Sequence, residues 1–177
     1  MEPPQVIFLV GPDMTGKTQI AQELASRLGY PYFKASTEHQ TFLNGRDSFY
    51  EQVTWADPRM FDFLQQTGHR VVFDRGFPCE YAYSRVFNRL SPASVVRWLD
   101  ESYAELGALV VICYRRSYDG ITDDIDPSIG PETLMKIEDA YLEWSKSSRC
   151  RILWLSVDDE DLDREVNDIM KEIKSGE

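Results

Sequence analysis

Val6-Ile7-Phe8-Leu9-Val10-Gly11-Pro12-Asp13-Met14-Thr15-Gly16-Lys17-Thr18 is the stretch that decides the reading of this chain. Its five leading apolar residues fit a strand buried on both faces. The eight that follow spell G-x-x-x-x-G-K-T, and Ile20, Leu24 and Leu28 then recur at helical spacing. A loop between such a strand and such a helix points its backbone N–H groups, and the positive end of the helix dipole, at one place. That arrangement suits a polyphosphate. The motif assigns Lys17 to the outer phosphates and the Thr18 hydroxyl to Mg²⁺. Gly11, Asp13, Met14, Thr15 and Gly16 complete the cradle. A glycine-rich turn without a ligand would have no need of Lys-Thr directly after its second glycine.

Outward from this loop, strand and helix signals alternate, which predicts a parallel sheet wrapped by helices. Strands are expected at 6–10, 31–34, 70–74, 108–113 and 152–155. Helices are expected at 17–28, from Asp57-Pro58 to Gly68, at 80–88, from Ser91-Pro92 to Gly107, from Gly130-Pro131 onward, and from near Asp159. Asp57 reads as an N-cap with proline at the first helical position. The loop, residues 34–38, Asp74-Arg75 and Arg115-Arg116 all fall at strand carboxyl ends, where such sheets bind ligands. Residues 114–130 read as a short lid whose arginines would close over phosphates and exclude water.

At 177 residues and 42% hydrophobic content the chain reads as one globular domain, 1–177. No apolar run is long enough for a bilayer, and the first residues lack the basic start of a signal peptide. The three cysteines show neither metal spacing nor a disulfide framework, so a cytoplasmic setting is expected. Net charge is −11, with seven basic against seventeen acidic residues from 117 onward. Residues 46–116 hold nine of each sign, and all nine basic ones are arginine. Arginine suits bidentate phosphate contacts, whereas the overall acidity disfavours nonspecific nucleic-acid binding.

Asp74-Arg75-Gly76-Phe77-Pro78-Cys79-Glu80-Tyr81-Ala82-Tyr83 adds a second motif. Together with Gly11-x-Asp13-x-x-Gly16-Lys17-Thr18 it resembles the thymidylate kinase and deoxynucleoside kinase group, whose fold is the P-loop kinase fold: α/β, a five-stranded parallel sheet with helices on both faces and a short lid. The resemblance implies a kinase using ATP and Mg²⁺, with a pyrimidine deoxynucleoside or its monophosphate as acceptor. It implies that Lys17, Asp74, Arg75, Arg115 and Arg116 serve catalysis. Thr18 and Asp74 would attend Mg²⁺, and Asp74 is alternatively the base toward an acceptor hydroxyl or a cap for the following helix. Asp13, Glu38, Arg75, Phe77 and Tyr81 would contact the acceptor. Arg75 is alternatively paired with a neighbouring carboxylate, and Glu38 is a second candidate base.

Two departures bear on the acceptor. Met14 stands where thymidylate kinases usually carry glycine, and Lys34-Ala35-Ser36-Thr37-Glu38-His39 replaces their Arg-Glu-Pro segment. A hydroxyl of nucleic acid, such as a hydroxymethylated pyrimidine or a polynucleotide 5′ end, is the alternative acceptor. A nucleotide-binding switch or ATPase module is the alternative of another class. Related kinases often pair as homodimers, and no membrane partner is expected.

Overall fold

The computed structural model describes residues 3–35, 48–121, 126 and 128–175. Its sheet has five parallel strands: β1 (Val6–Val10), β2 (Tyr32–Lys34), β3 (Val71–Asp74), β4 (Leu109–Tyr114) and β5 (Arg151–Ser156), in the order β2-β3-β1-β4-β5. β1 and the first five residues of β4 are buried, as their unbroken apolar sequence requires.

Two apolar layers cover the sheet, one on each face. One joins Ile7, Leu9 and Val111 to α1 (Lys17–Leu28) and the last helix through Ile20, Leu24, Val166 and Ile169. The other gathers Phe8, Phe73 and Val110 beneath Phe61, Phe77, Leu99, Tyr103 and Tyr141. These come from α3 (Asp57–Thr67), α4 (Phe77–Val86), α5 (Ala93–Glu105) and α6 (Pro131–Ser145). α2 is a single turn, Ser48–Glu51, and α7 runs Leu162–Ser175.

The predicted α/β architecture, with helices on both faces, is the observed one. Several boundaries differ, three of them at helix starts. Asp57 is not an N-cap: a π-helical turn, Gln52–Ala56, runs straight into it and its backbone is already helical. α4 begins at Phe77 rather than near residue 80, because Pro78 lies in its first turn and fits there without needing an N–H partner. α7 starts at Leu162, three residues past the expected point. Among the described residues no helix is long and apolar enough to cross a membrane.

Candidate active site

Sheet register brings the two sequence motifs together. Asp74 ends β3 opposite Leu9 of β1 on one side and Lys34 of β2 on the other. The Arg75 N–H extends the ladder to the Leu9 carbonyl at 2.9 Å. The loop after β1 therefore starts beside Asp74-Arg75. Gly11 is required there, because a Cβ would collide with the Cys113 carbonyl of β4. Met14 has φ 62°, a left-handed conformation that costs a side-chain-bearing residue about 1 kcal/mol. Glycine would take this conformation without strain, and methionine fills the turn. Gly16 (φ 69°) passes the chain into α1.

The Lys17 ammonium folds back over its own loop. It donates to the Pro12 carbonyl at 2.5 Å and to Thr15 Oγ1 at 3.2 Å. Only 6% of this residue is exposed. Burial, and then the Arg75 charge, bring its pKa down to about 8. A phosphate oxygen is a stronger acceptor than either present partner and would draw the ammonium outward.

Thr18 Oγ1 donates to Asp74 Oδ2 at 2.6 Å, and the Tyr32 hydroxyl donates to the same oxygen at 2.9 Å. Asp74 is buried at the end of its strand, so these bonds offset part of its desolvation. A hydroxyl and a carboxylate in contact are hard oxygen donors of the kind Mg²⁺ takes together with phosphate and water. Among the described residues, no group of three or more His, Cys, Asp or Glu could hold a metal unaided. The donor set thus fits an ion that arrives with phosphates.

Beside this half lies a second cluster. Arg75 Nη2 pairs with Asp13 Oδ1, the Tyr83 hydroxyl donates to Asp13 Oδ2 at 2.7 Å, and Arg75 Nη1 donates to the Tyr83 oxygen at 3.3 Å. Burial alone would raise the Asp13 pKa. Arg75, Lys17 and the Tyr83 bond outweigh it and hold the carboxyl below the usual aspartate value. Arg75 itself has φ 71°. A non-glycine residue in that region is strained, and the pairing with Asp13 holds it there.

The two arginines at the start of the expected lid separate. Arg115 is mostly buried, donating from Nε to the Met14 carbonyl at 3.1 Å and from Nη2 to Glu160 at 2.9 Å. It therefore touches the phosphate loop directly. Arg116 has an 83% exposed side chain, and its backbone N–H is held by Asp158 at 2.9 Å. The start of the expected lid is anchored: buried Tyr118 donates to Glu138 of α6 at 2.5 Å. Residues 122–125 and 127 of that lid, and Glu38, lie outside the described residues.

The structure keeps Phe77 and Tyr81 out of this site. Phe77 is 1% exposed and packed among Phe8, Tyr103 and Trp144, so it belongs to the core. Tyr81 carries the Arg85 guanidinium over its ring at 4.5 Å, and Arg85 pairs with Glu143. The aromatic residue of this motif that reaches the site is Tyr83, two residues on. Sequence reading carried Tyr83 only as one member of that aromatic motif, and missed Tyr32. The signal for Tyr32 was its strand, since the residue two places further along, Lys34, pairs with Asp74.

Residues 6–164 match the family described as AAA domain. A comparison with curated proteins gives no significant match. Among solved structures the chain is similar to the YorR protein of Bacillus subtilis in complex with phosphorylated GDP, at 20% identity and a TM-score of 0.69, over 96% of this chain and 95% of that one. It is also similar to thymidylate kinase from Ehrlichia chaffeensis, at 14% identity and a TM-score of 0.61, over 98% and 100%. Shikimate kinase from Aquifex aeolicus matches at 14% identity and a TM-score of 0.58, over 97% of each chain. The likeness to these structures is one of fold.

Proposed function

The chain belongs to the AAA domain family, and on that premise we propose that it is a kinase. It transfers the γ-phosphoryl group of ATP or a related nucleoside triphosphate to a pyrimidine deoxynucleoside or its monophosphate. The observation that carries this reading is the adjacency of two differently built halves. Lys17, Thr18 and Asp74 form a donor half, and Asp13, Arg75 and Tyr83 form an acceptor half beside it. A module that only binds or hydrolyses nucleotide has no use for the second half.

In this reading the loop N–H groups and Lys17 hold the donor's β- and γ-phosphates. Bound there with Thr18 and Asp74, Mg²⁺ supplies charge neutralisation. Asp74 is placed to orient this shell or to accept the proton of an acceptor hydroxyl. Asp13 accepts a hydrogen bond from the acceptor's sugar, and Arg75 lies within electrostatic reach of Lys17, which suits a clamp on the acceptor or on the group in flight. Phosphoryl transfer asks a protein mainly for such positioning and charge stabilisation. Thymidylate kinase among the structural neighbours and the aromatic motif containing Tyr83 favour a pyrimidine nucleotide acceptor.

The test is Mg²⁺-dependent transfer from labelled ATP to deoxynucleosides, their monophosphates, and DNA with ordinary or hydroxymethylated pyrimidines. Labelling of a nucleoside or monophosphate supports the proposal. Labelling of DNA alone would replace the acceptor, and labelling of nothing, with free phosphate released, would replace the reading by an ATPase.

A further inference from the structure

We infer that Tyr32 is a positioning residue for phosphoryl transfer: its hydroxyl, reaching over from the edge strand, holds the Asp74 carboxylate in its working orientation. The inference rests on the kinase reading above and deepens it. Among the described residues two side chains donate to Asp74, Thr18 at 2.6 Å and Tyr32 at 2.9 Å, and both bonds fall on Oδ2. Among the same residues no lysine or arginine forms an ion pair with it. Arg75, the next residue, pairs with Asp13, and Lys17 donates to the Pro12 carbonyl and to Thr15. Two hydroxyls are therefore what orients a carboxylate that is 1% exposed.

The two hydroxyls are held differently. Thr18 stands in the first turn of α1, directly after Lys17, and its oxygen is also the motif's ligand for Mg²⁺. Nucleotide thus has a claim on Thr18. Tyr32 is built into the sheet. β2 pairs with β3 in register, Tyr32 opposite Val72 and Lys34 opposite Asp74, so Tyr32 shares a sheet face with Asp74. Its ring packs against the apolar layer of Val72, Ile20 and Leu24. The orientation of Asp74 is thereby tied to the sheet as well as to the phosphate loop. With both donors on Oδ2, Oδ1 is the oxygen left for the Mg²⁺ shell or for the proton of an acceptor hydroxyl.

The magnitude follows from what remains when the Tyr32 hydroxyl is removed. Misplacing a reacting group by about 1 Å costs about a hundredfold in rate. Thr18 still donates to the same oxygen, so the carboxylate is loosened rather than displaced, and a loss of about tenfold is expected. That loss falls on kcat, because Tyr32 is asked for no contact with either substrate.

The experiment follows turnover of labelled ATP by the full chain in Mg²⁺, to an acceptor and to water, for the wild type, Tyr32→Phe and Tyr30→Phe. Calorimetry gives nucleotide affinity, and denaturant unfolding gives stability. Tyr32→Phe removes the hydroxyl and keeps the ring in its layer. Tyr30→Phe removes a hydroxyl that donates to the Pro4 carbonyl at 3.3 Å, before β1 and at the end of the sheet away from the phosphate loop. The expected result is a kcat about tenfold lower in Tyr32→Phe, with KM and nucleotide affinity within about twofold of the wild type. Tyr30→Phe should keep kcat within about twofold. Lost nucleotide affinity in Tyr32→Phe, or an equal fall of kcat in Tyr30→Phe, would mark support of the strand and overturn the inference. Transfer to an acceptor by Tyr32→Phe at the wild-type rate would keep the kinase and remove the role of Tyr32. Turnover to water alone, lowered in Tyr32→Phe, would leave Tyr32 its role and remove the kinase. No turnover by the wild type would sink both.

Discussion

The Thr18 hydroxyl and the Asp74 carboxylate lie 2.6 Å apart, tying the first turn of α1 to the carboxyl end of β3. Residues 56 positions apart in sequence thus form one oxygen-rich site at the mouth of the phosphate loop. Asp74→Asn keeps the shape and removes the charge. We expect it to lower transfer by about a thousandfold or more while nucleotide affinity stays within a few-fold. Paired turnover and nucleotide-binding measurements check this. Lost affinity with intact turnover would contradict the assignment.

The Arg75–Asp13–Tyr83 cluster predicts an asymmetric response. Arg75→Ala leaves a mostly buried carboxylate without its cation and should cost about 3 kcal/mol of stability, besides abolishing transfer. Tyr83→Phe removes one hydrogen bond and should cost about 1 kcal/mol. Denaturant unfolding of the two variants separates these values.

Arg115 and Arg116 are neighbours in sequence with different surroundings. Arg115→Ala frees the Met14 carbonyl and removes a cation from the loop, so nucleotide affinity should fall about tenfold or more. Arg116→Ala changes an exposed side chain and should alter affinity less than about twofold. Equal effects would contradict the division of roles.

Phe77 gives a test of core against site. Phe77→Ala should destabilise the fold by about 3–5 kcal/mol. At a temperature where the variant remains folded, the acceptor KM should be unchanged. A raised KM with unchanged stability would return Phe77 to the acceptor site.

Much of the Lys17–Thr18–Asp74 cluster was legible because it is built from local motifs. Lys17 and Thr18 follow a turn whose spacing states its purpose, and Asp74 is a charge at the end of an apolar strand. The rest depends on packing between distant segments. Phe77 and Tyr81 looked like base-stacking residues because their motif is aromatic, yet α4 starts at Phe77 and turns that side chain into the layer of Phe8 and Tyr103. Two residues on from Tyr81, Tyr83 meets Asp13, a partner 70 positions away. The π-helical turn before Asp57 leaves no mark in hydrophobic periodicity.

Asp57 supplies the pH test. Its carboxyl is buried, and burial, opposed by a Gln52 hydrogen bond and reinforced by the Glu80 charge, pushes its pKa up to about 7. The unfolded value is that of an ordinary aspartate, so between about pH 4 and 7 the folded chain holds a proton that the unfolded chain has lost. Stability from this group is therefore present at low pH and is lost as pH rises toward 7. Asp57→Asn should gain on the wild type by about 2 kcal/mol on going from pH 5 to pH 8. Thermal unfolding at the two values reads the difference, and parallel pH profiles would contradict the protonated state of Asp57.

The most direct test of the central claim is labelled γ-phosphoryl transfer by the wild type and Asp74→Asn, side by side, with thymidine, its monophosphate and DNA as acceptors. The account predicts Mg²⁺-dependent labelling of the nucleoside or the monophosphate by the wild type, and none by the variant, which still binds nucleotide. Labelling by the variant at the wild-type rate, or labelling of water alone by either protein, would contradict it.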